Sequence, residues 1–344
     1  MDEQGSAPRP EGAEPGRVVD DRVDVVLGSP RRLTRDDVAH LSGVPLDDSR
    51  ALWRAMGFAD VGEAPAFTDE DVDALVLLST LERRGVFDQA TAVDVVRALG
   101  RTTGRLASWQ VDTFGRELSR RGVVDPVDPL SPESAARLFR EIEVLLPALE
   151  RLVVHGWRRQ LAAALERGLA VAEAVGEGES VAQTVGFADI VGFTRLTRNL
   201  DEHELATLVV RFESRSADIV AAHGGRTLKT LGDEIMFVTA DPESGAEVAL
   251  RLVHEQDPMV PGMRAGLATG DVVTRRGDVY GSVVNLASRL TDEALPGTVL
   301  CDRPTADALA GHDGFWLEQQ PERAVRGVGR VAPLALERLA DPYL

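Results

Sequence analysis

KTLGDEIMF, residues 229–237, sets a lysine and two adjacent acids inside an apolar stretch. Thr230 and Leu231 lead into Gly232, and Asp233 and Glu234 lead out into Ile235, Met236, Phe237 and Val238. The pattern predicts two short strands joined by a glycine turn, with Asp233 at its tip. A solvated turn needs neither the apolar run behind it nor a lysine in front of it.

Outward from this hairpin the pattern alternates between strand and helix. SVAQTVGFADIVG reads as a strand, and DEHELATLVVRFESRSADIVAAHGG as an amphipathic helix ended by glycines. After the hairpin come a helix over about 242–256, the strand MRAGLATGDVV, the helix YGSVVNLASRLTDEA and the strand GTVLC. The order β-α-β-β-α-β-α-β predicts an α+β sandwich of ferredoxin-like type. Upstream, about 31–168 is helical in pattern. Thr34 with Asp37, and Thr68 with Asp71, form near capping boxes, and Ser131 before Pro132 starts a long helix. GEGES, 176–180, predicts a flexible break between domains. Residues 1–22 are rich in Pro, Gly and acids, and a disordered tail is expected there.

The chain has 344 residues, 44% of them hydrophobic, which suits two domains with real cores. A formal net charge of -18 argues against nucleic acid or an anionic membrane as a default partner. It also means that any site for an anionic substrate must be locally basic or metal-loaded. Cys301 is the single cysteine, so an internal disulfide is excluded and a buried thiol in a reducing, cytoplasmic setting is expected. No stretch reaches the ~18 apolar residues of a membrane span, and the polar N-terminus lacks a signal-peptide core.

Three further features carry chemistry. Asp189 lies at the end of the apolar strand TVGF, and a strand end and a hairpin tip on one sheet edge can bring Asp189 and Asp233 together. Hard divalent cations take oxygen ligands, often only one or two carboxylates plus substrate phosphates. Two such ions would clamp the attacking and leaving oxygens of a phosphoryl transfer. Two ordinary turn aspartates are the alternative. IVGFT, 190–194, precedes helical sequence, where free backbone N–H groups favour phosphate and Gly192 permits close approach. Asn285 and Arg289 are four residues apart, so they share one helix face, and a guanidinium beside an amide suits charge developing on phosphate.

Together FADIVGFT, KTLGDEIMF and DVYGSVVNLASR resemble the catalytic domain of the class III nucleotidyl cyclases, in the family's order and at its spacings, over about 182–337. The resemblance implies an α+β, ferredoxin-like catalytic domain over 181–344. It makes Asp189 and Asp233 the metal aspartates for two Mg²⁺ or Mn²⁺ ions, and Lys229 with Asp278 the pair that reads adenine. Guanylyl cyclases typically carry Glu and Cys there, so ATP is the implied substrate. Asn285 and Arg289 become the transition-state pair. Ile190, Gly192, Phe193 and Thr194 would contact metal and triphosphate, and Arg326 falls where the family has a phosphate-binding lysine. The family builds its sites between two catalytic domains, so a homodimer with two equivalent sites is implied, with the apolar flanks of the hairpin packed in the dimer groove. The activity implied is conversion of ATP to 3′,5′-cyclic AMP and pyrophosphate. A catalytically silent nucleotide-binding module and a guanylyl cyclase are the alternatives.

The first half, RRLTRDDVAHLSGVPLDDSRALWRAMGF with FTDEDVDALVLL, resembles a MerR-like helix-turn-helix. Residues 31–100 hold no lysine and more acids than bases, which argues against DNA. The segment also resembles the helical regulatory domain of some actinobacterial cyclases. That implies an all-α regulatory domain over 23–150 and a connecting helix and linker over 151–180. His155 in this connector is a candidate proton switch, and an apolar ligand on the helical domain is the second candidate signal.

Overall fold

The computed structural model describes residues 23–124, 131–174, 181–255, 257, 260–275 and 277–339. The chain divides into two units, Met1–Ala163 and Ala164–Leu344. The expected tail at 1–22 and the break at 176–180 lie outside the described residues.

The first unit is helical. It contains α1 (Arg35–Ser42), α2 (Leu46–Met56), α3 (Asp69–Arg83) and α4 (Gln89–Arg120). Both expected capping boxes form: Thr34 with Asp37 begins α1, and Thr68 with Asp71 begins α3. Leu33, Val38 and Phe67 form a small buried core, with Trp53 and Leu75 packed against it. Helix α5 (Pro132–Ala174) begins at Ser131, whose hydroxyl accepts the Ser134 N–H. It carries Pro147 within one continuous helix and runs through the division between the units.

The second unit is α+β. Its elements are β1 (Val181–Ile190), the short α6 (Phe193–Leu196), α7 (Glu202–Ala222), β2 (Arg226–Leu231), β3 (Glu234–Thr239), α8 (Pro242–His254), β4 (Met263–Arg275), β5 (Asp278–Tyr280) and α9 (Ser282–Glu293). There follow β6 (Val299–Cys301), α10 (Arg303–Leu309), β7 (Phe315–Gln319), β8 (Arg323–Val325), β9 (Gly329–Val331) and β10 (Leu334–Arg338). The sheet order is β2-β3-β1-β4-β6-β10-β7, with β5 on β4 and a separate β8-β9 ribbon. The expected β-α-β-β-α-β-α-β order is present. The strands after α10 go beyond it.

Period-two alternation gives the sheet two apolar faces. Ile190, Ile235, Phe237, Ala265 and Leu267 pack under α7, α8 and α10. Val185, Phe187, Met236, Val238 and Ala268 face α9. Residues 235–238 are therefore all buried within the chain's own two cores. This corrects one expectation: the apolar run after the hairpin is not apolar because it packs in a dimer groove. It is a central strand covered on both faces. The exposed apolar residue of the hairpin is Leu231, on the other side of the turn.

Candidate active site

Strand register builds the acidic end of the site. Asp189 pairs with Glu234 on one side and with Arg264 on the other. Residues directly opposite across strands point to the same face, so all three side chains stand together. The pairing continues past the strand ends: the Ile190 N–H donates to the Asp233 carbonyl at 3.0 Å, and the Val191 N–H to that of Gly262 at 2.9 Å. Gly232, at φ +70°, turns the chain sharply enough to put Asp233 at the tip. The structure thus brings Asp189 and Asp233 together.

Arg264, which the sequence reading did not single out, answers the charge of Asp189. Its Nη2 and Nε donate to Asp189 Oδ2 at 2.8 and 3.1 Å. Its Nη1 donates to the Asp292 carbonyl at 2.7 Å, which ties the cluster to the end of α9. The remaining acids are in conflict. Burial pushes the Asp233 carboxyl above the ordinary range, and the neighbouring Asp189 adds to it. Glu234 is also pushed up, first by burial and then by Asp189, Asp292 and Asp233. Such crowding of half-buried carboxylates with one guanidinium among them suits a divalent cation, which would relieve the repulsion that the protein leaves uncompensated. Among the described residues no group of three or more His, Cys, Asp or Glu side chains converges as a closed metal cage. An open site that leaves positions for phosphate oxygens fits Mg²⁺ or Mn²⁺ better than a cage would.

Helix α9 carries the second group. Gly281 begins it after β5. Ala287 and Leu290 are buried against the sheet, which leaves Asn285 and Arg289 exposed on one face. Arg289 Nη1 donates to Asp292 Oδ2 at 2.9 Å, one helical turn on. The helix lies unusually close to β4: a Cβ on Gly266 would sit 2.5 Å from the Ala287 carbonyl oxygen and 2.4 Å from the Thr291 nitrogen.

The third group is an ion pair. Lys229 Nζ lies 2.5 Å from Asp278 Oδ2, joining β2 to the start of β5 across 49 residues of sequence (278 minus 229). A bulge between Thr227 and Lys229 re-aims the strand at that point. Burial alone would raise the Asp278 carboxyl, yet the Lys229 ammonium and the Val279 N–H hold it below the ordinary range. Asp278 is therefore an ionised acceptor beside a fixed ammonium donor. Next to it, Arg226 donates to the Gly277 carbonyl at 2.8 Å.

The other expected residues are placed as follows. Gly192 has φ +72° and starts α6, with Thr194 exposed and the Phe193 ring packed against the core. Arg326 is exposed in the tight turn between β8 and β9. His155 is exposed on α5, with Glu150, Arg151 and Arg158 lining the same surface. Cys301 is fully buried, and burial pushes its thiol up to about 12, so it is no nucleophile at neutral pH. No helix among the described residues is long and apolar enough to cross a membrane.

The model of the adenylate and guanylate cyclase catalytic domain matches residues 177–337. An adenylate cyclase of Streptomyces coelicolor is 42% identical over 363 residues, covering 96% of this chain and 93% of that one. An adenylate cyclase of Streptomyces griseus is 44% identical, covering 84% of this chain and 71% of that one. A pH-sensitive adenylate cyclase of Mycobacterium tuberculosis is 30% identical, covering 88% and 79%. These likenesses span both units as well as the three motifs, and the chain belongs to the class III adenylyl cyclase family.

Proposed function

We propose that this chain converts ATP to 3′,5′-cyclic AMP and pyrophosphate at sites shared by two copies of itself. The observation that carries the choice of ATP is the Lys229–Asp278 pair. An ionised Asp278 accepts from the exocyclic amine of adenine, and Lys229 donates to the adjacent ring nitrogen. Asp189 and Asp233 would hold two divalent cations, with Ile190 beside them. When bound, these would lower the pKa of the ribose 3′-hydroxyl and neutralise the leaving pyrophosphate. Asn285 orients the ribose. Arg289 leaves its exposed contact with Asp292 for the α-phosphate and meets the charge that grows there. Loss of such a contact typically costs on the order of 100-fold in rate. The backbone at Gly192, Phe193 and Thr194, and the Arg326 side chain, take the remaining phosphate charge.

Exposed apolar side chains beside these groups support a shared site. Leu231 is 65% exposed next to the Gly232–Asp233 turn, and Val273 and Tyr280 are 63% and 53% exposed next to Asp278. A single chain leaves these rims uncovered, and a second copy would cover them. In this arrangement the metal aspartates come from one copy, and the adenine pair, Asn285 and Arg289 from the other. The test is complementation. Asp189→Ala and Arg289→Ala chains are each inactive alone. Mixed and re-equilibrated in equal amounts, they recover about a quarter of the wild-type rate, because half the dimers are mixed and each has one intact site. No recovery on mixing, with dimers confirmed, rejects the shared site. An inactive wild-type chain would favour the silent nucleotide-binding module.

The helical unit restrains this activity, and acidification is the signal that relieves it. Exposed His155 and the pH-sensitive relative support this reading.

A further inference from the structure

Among the described residues, four buried side-chain polar atoms find no hydrogen-bond partner in the protein, and three of them belong to residues that line one cavity. They are Arg35 Nε, Arg50 Nε and Trp53 Nε1. The cavity, of about 220 Å³, lies wholly within the helical unit, between α1, α2, α3 and the loop before α3. All three orphans are donors. A buried donor left unmade costs more than its bond would contribute, so three in one place mark a site built for acceptors. Gln183 Oε1, the fourth orphan, is an acceptor elsewhere, on β1.

The remaining walls define the rest of the ligand. Trp53 packs in tilted geometry against Phe67 and Phe58, with ring centroids 4.6 Å apart and interplanar angles of 59° and 32°, which gives an aromatic wall. Phe67 and Leu75 add apolar surface. Among the described residues, the carboxylates paired with Arg35 and Arg50 are exposed, and Asp71 also lines the cavity. Arg50 Nη1 lies 3.8 Å from Asp47, which is 97% exposed, and Arg35 reaches Asp60 at 3.7 Å and Glu63, which are 64% and 68% exposed. Asp60 is held below the ordinary carboxylate range, first by the Gly62 N–H and then by Arg35, Arg50 and Arg54. Asp60 thus lies in the field of three guanidiniums but pairs, among the described residues, with Arg35 alone, through an exposed contact that an incoming anion can displace at little cost because exposed ion pairs are weak.

We propose that this cavity is a binding site for a compact aromatic acid, its carboxylate or phosphate head on Arg35 and Arg50 and its ring against Trp53 and Phe67. Guanidiniums bind such heads in bidentate fashion, and a flat body matches an aromatic wall. The site does not depend on the cyclase reading, since none of its residues belongs to the second unit.

The test is calorimetric titration of the full chain with benzoate, phenyl phosphate, inorganic phosphate and the neutral benzyl alcohol. It uses a chain carrying Arg289→Ala and Arg326→Ala, so that the two guanidiniums proposed above to bind nucleotide phosphate are absent. Saturable one-to-one binding of benzoate or phenyl phosphate is expected, and the tighter of the two names the head group. Inorganic phosphate and benzyl alcohol bind at least about tenfold more weakly, since each lacks half of the recognition. Arg50→Gln weakens the acid by about tenfold or more, the usual effect of losing a charge-assisted contact. Trp53→Phe keeps an aromatic ring but removes the indole N–H along with part of the apolar surface, and it weakens binding about threefold to tenfold. Thermal melts of each variant without ligand establish that it is folded. If neither acid saturates by about 10 mM, the proposal is overturned, since such an affinity would be below that of any useful site. It is equally overturned if benzyl alcohol binds as well as the acids, or if neither substitution weakens them.

Discussion

Glu234 stands where the charge conflict of the catalytic unit is most concentrated. Burial, then Asp189, Asp292 and Asp233, push its carboxyl above the ordinary value of about 4.5. The folded chain therefore binds more protons than the unfolded chain between that value and the raised one. Stability falls as pH rises through this window, because ionisation costs more in the fold than in the open chain. Glu234→Gln removes that ionisation while keeping the shape. The metal-free variant is expected to melt above the wild type at neutral pH, by a few degrees if the relief is about 1 kcal/mol. The difference should shrink as the pH approaches the ordinary carboxylate range. Thermal melts from about pH 5 to pH 8 give the answer, and a difference that does not change with pH would mean that Glu234 carries no such burden. Asp189 and Asp233 were legible because each interrupts or ends an apolar run. Arg264 was not, although it answers Asp189 directly. In MRAGLATG it looks like the solvent side of an ordinary strand, and only the β1–β4 register brings it opposite a residue 75 positions away. The orphan donors of the helical unit were hidden for the same reason, since an unmet hydrogen bond is a property of packing.

Helix α9, which carries the proposed pair Asn285 and Arg289, lies against a single small residue. Its backbone rests on Gly266 of β4, at a distance that no side chain tolerates. The buried stripe of Ala287 and Leu290 fixes its rotation, so Asn285 and Arg289 face outward together. Gly266→Ala must push the helix off the sheet or strain the strand. A loss of about 1–3 kcal/mol of stability is expected from such overpacking, measured by denaturant unfolding. The stronger effect should be on turnover, because a shift of about 1 Å in positioned groups can cost on the order of 100-fold. Unchanged kcat in a folded Gly266→Ala enzyme would show that this contact does not set the position of Arg289. At this scale the sequence was informative wherever glycines, caps and alternation coincide: both capping boxes, the hairpin and the first half of the sheet follow from them. The final strands, β7 to β10, were missed. They are three to five residues long, too short for alternation to register: β10 adds to the edge of β6, β7 adds to β10, and β8 and β9 pair with each other.

At the scale of the whole molecule, two units with separate cores share one long helix. The second unit holds every group proposed to touch ATP, and the first holds a cavity with its own donors. Helix α5 is exposed almost all round over residues 151–169, and His155 lies within that stretch beside Glu150, Arg151 and Arg158. Protonation of His155 adds a cation between two arginines, and the added repulsion is a local change that a continuous helix can pass along. The full chain and the 164–344 fragment should therefore differ most in mildly alkaline solution, with the fragment faster. The ratio of their rates should fall toward one as the pH drops to about 5.5. In the full chain, His155→Ala should flatten that ratio without changing the fragment's rate, because the fragment lacks residue 155. Cyclic-nucleotide formation with Mn²⁺, measured for the three proteins across this range, separates two claims. Equal turnover by the full chain and the fragment at every pH would reject restraint altogether. A pH-dependent ratio that survives His155→Ala would keep restraint and place the proton on another group of the helical unit.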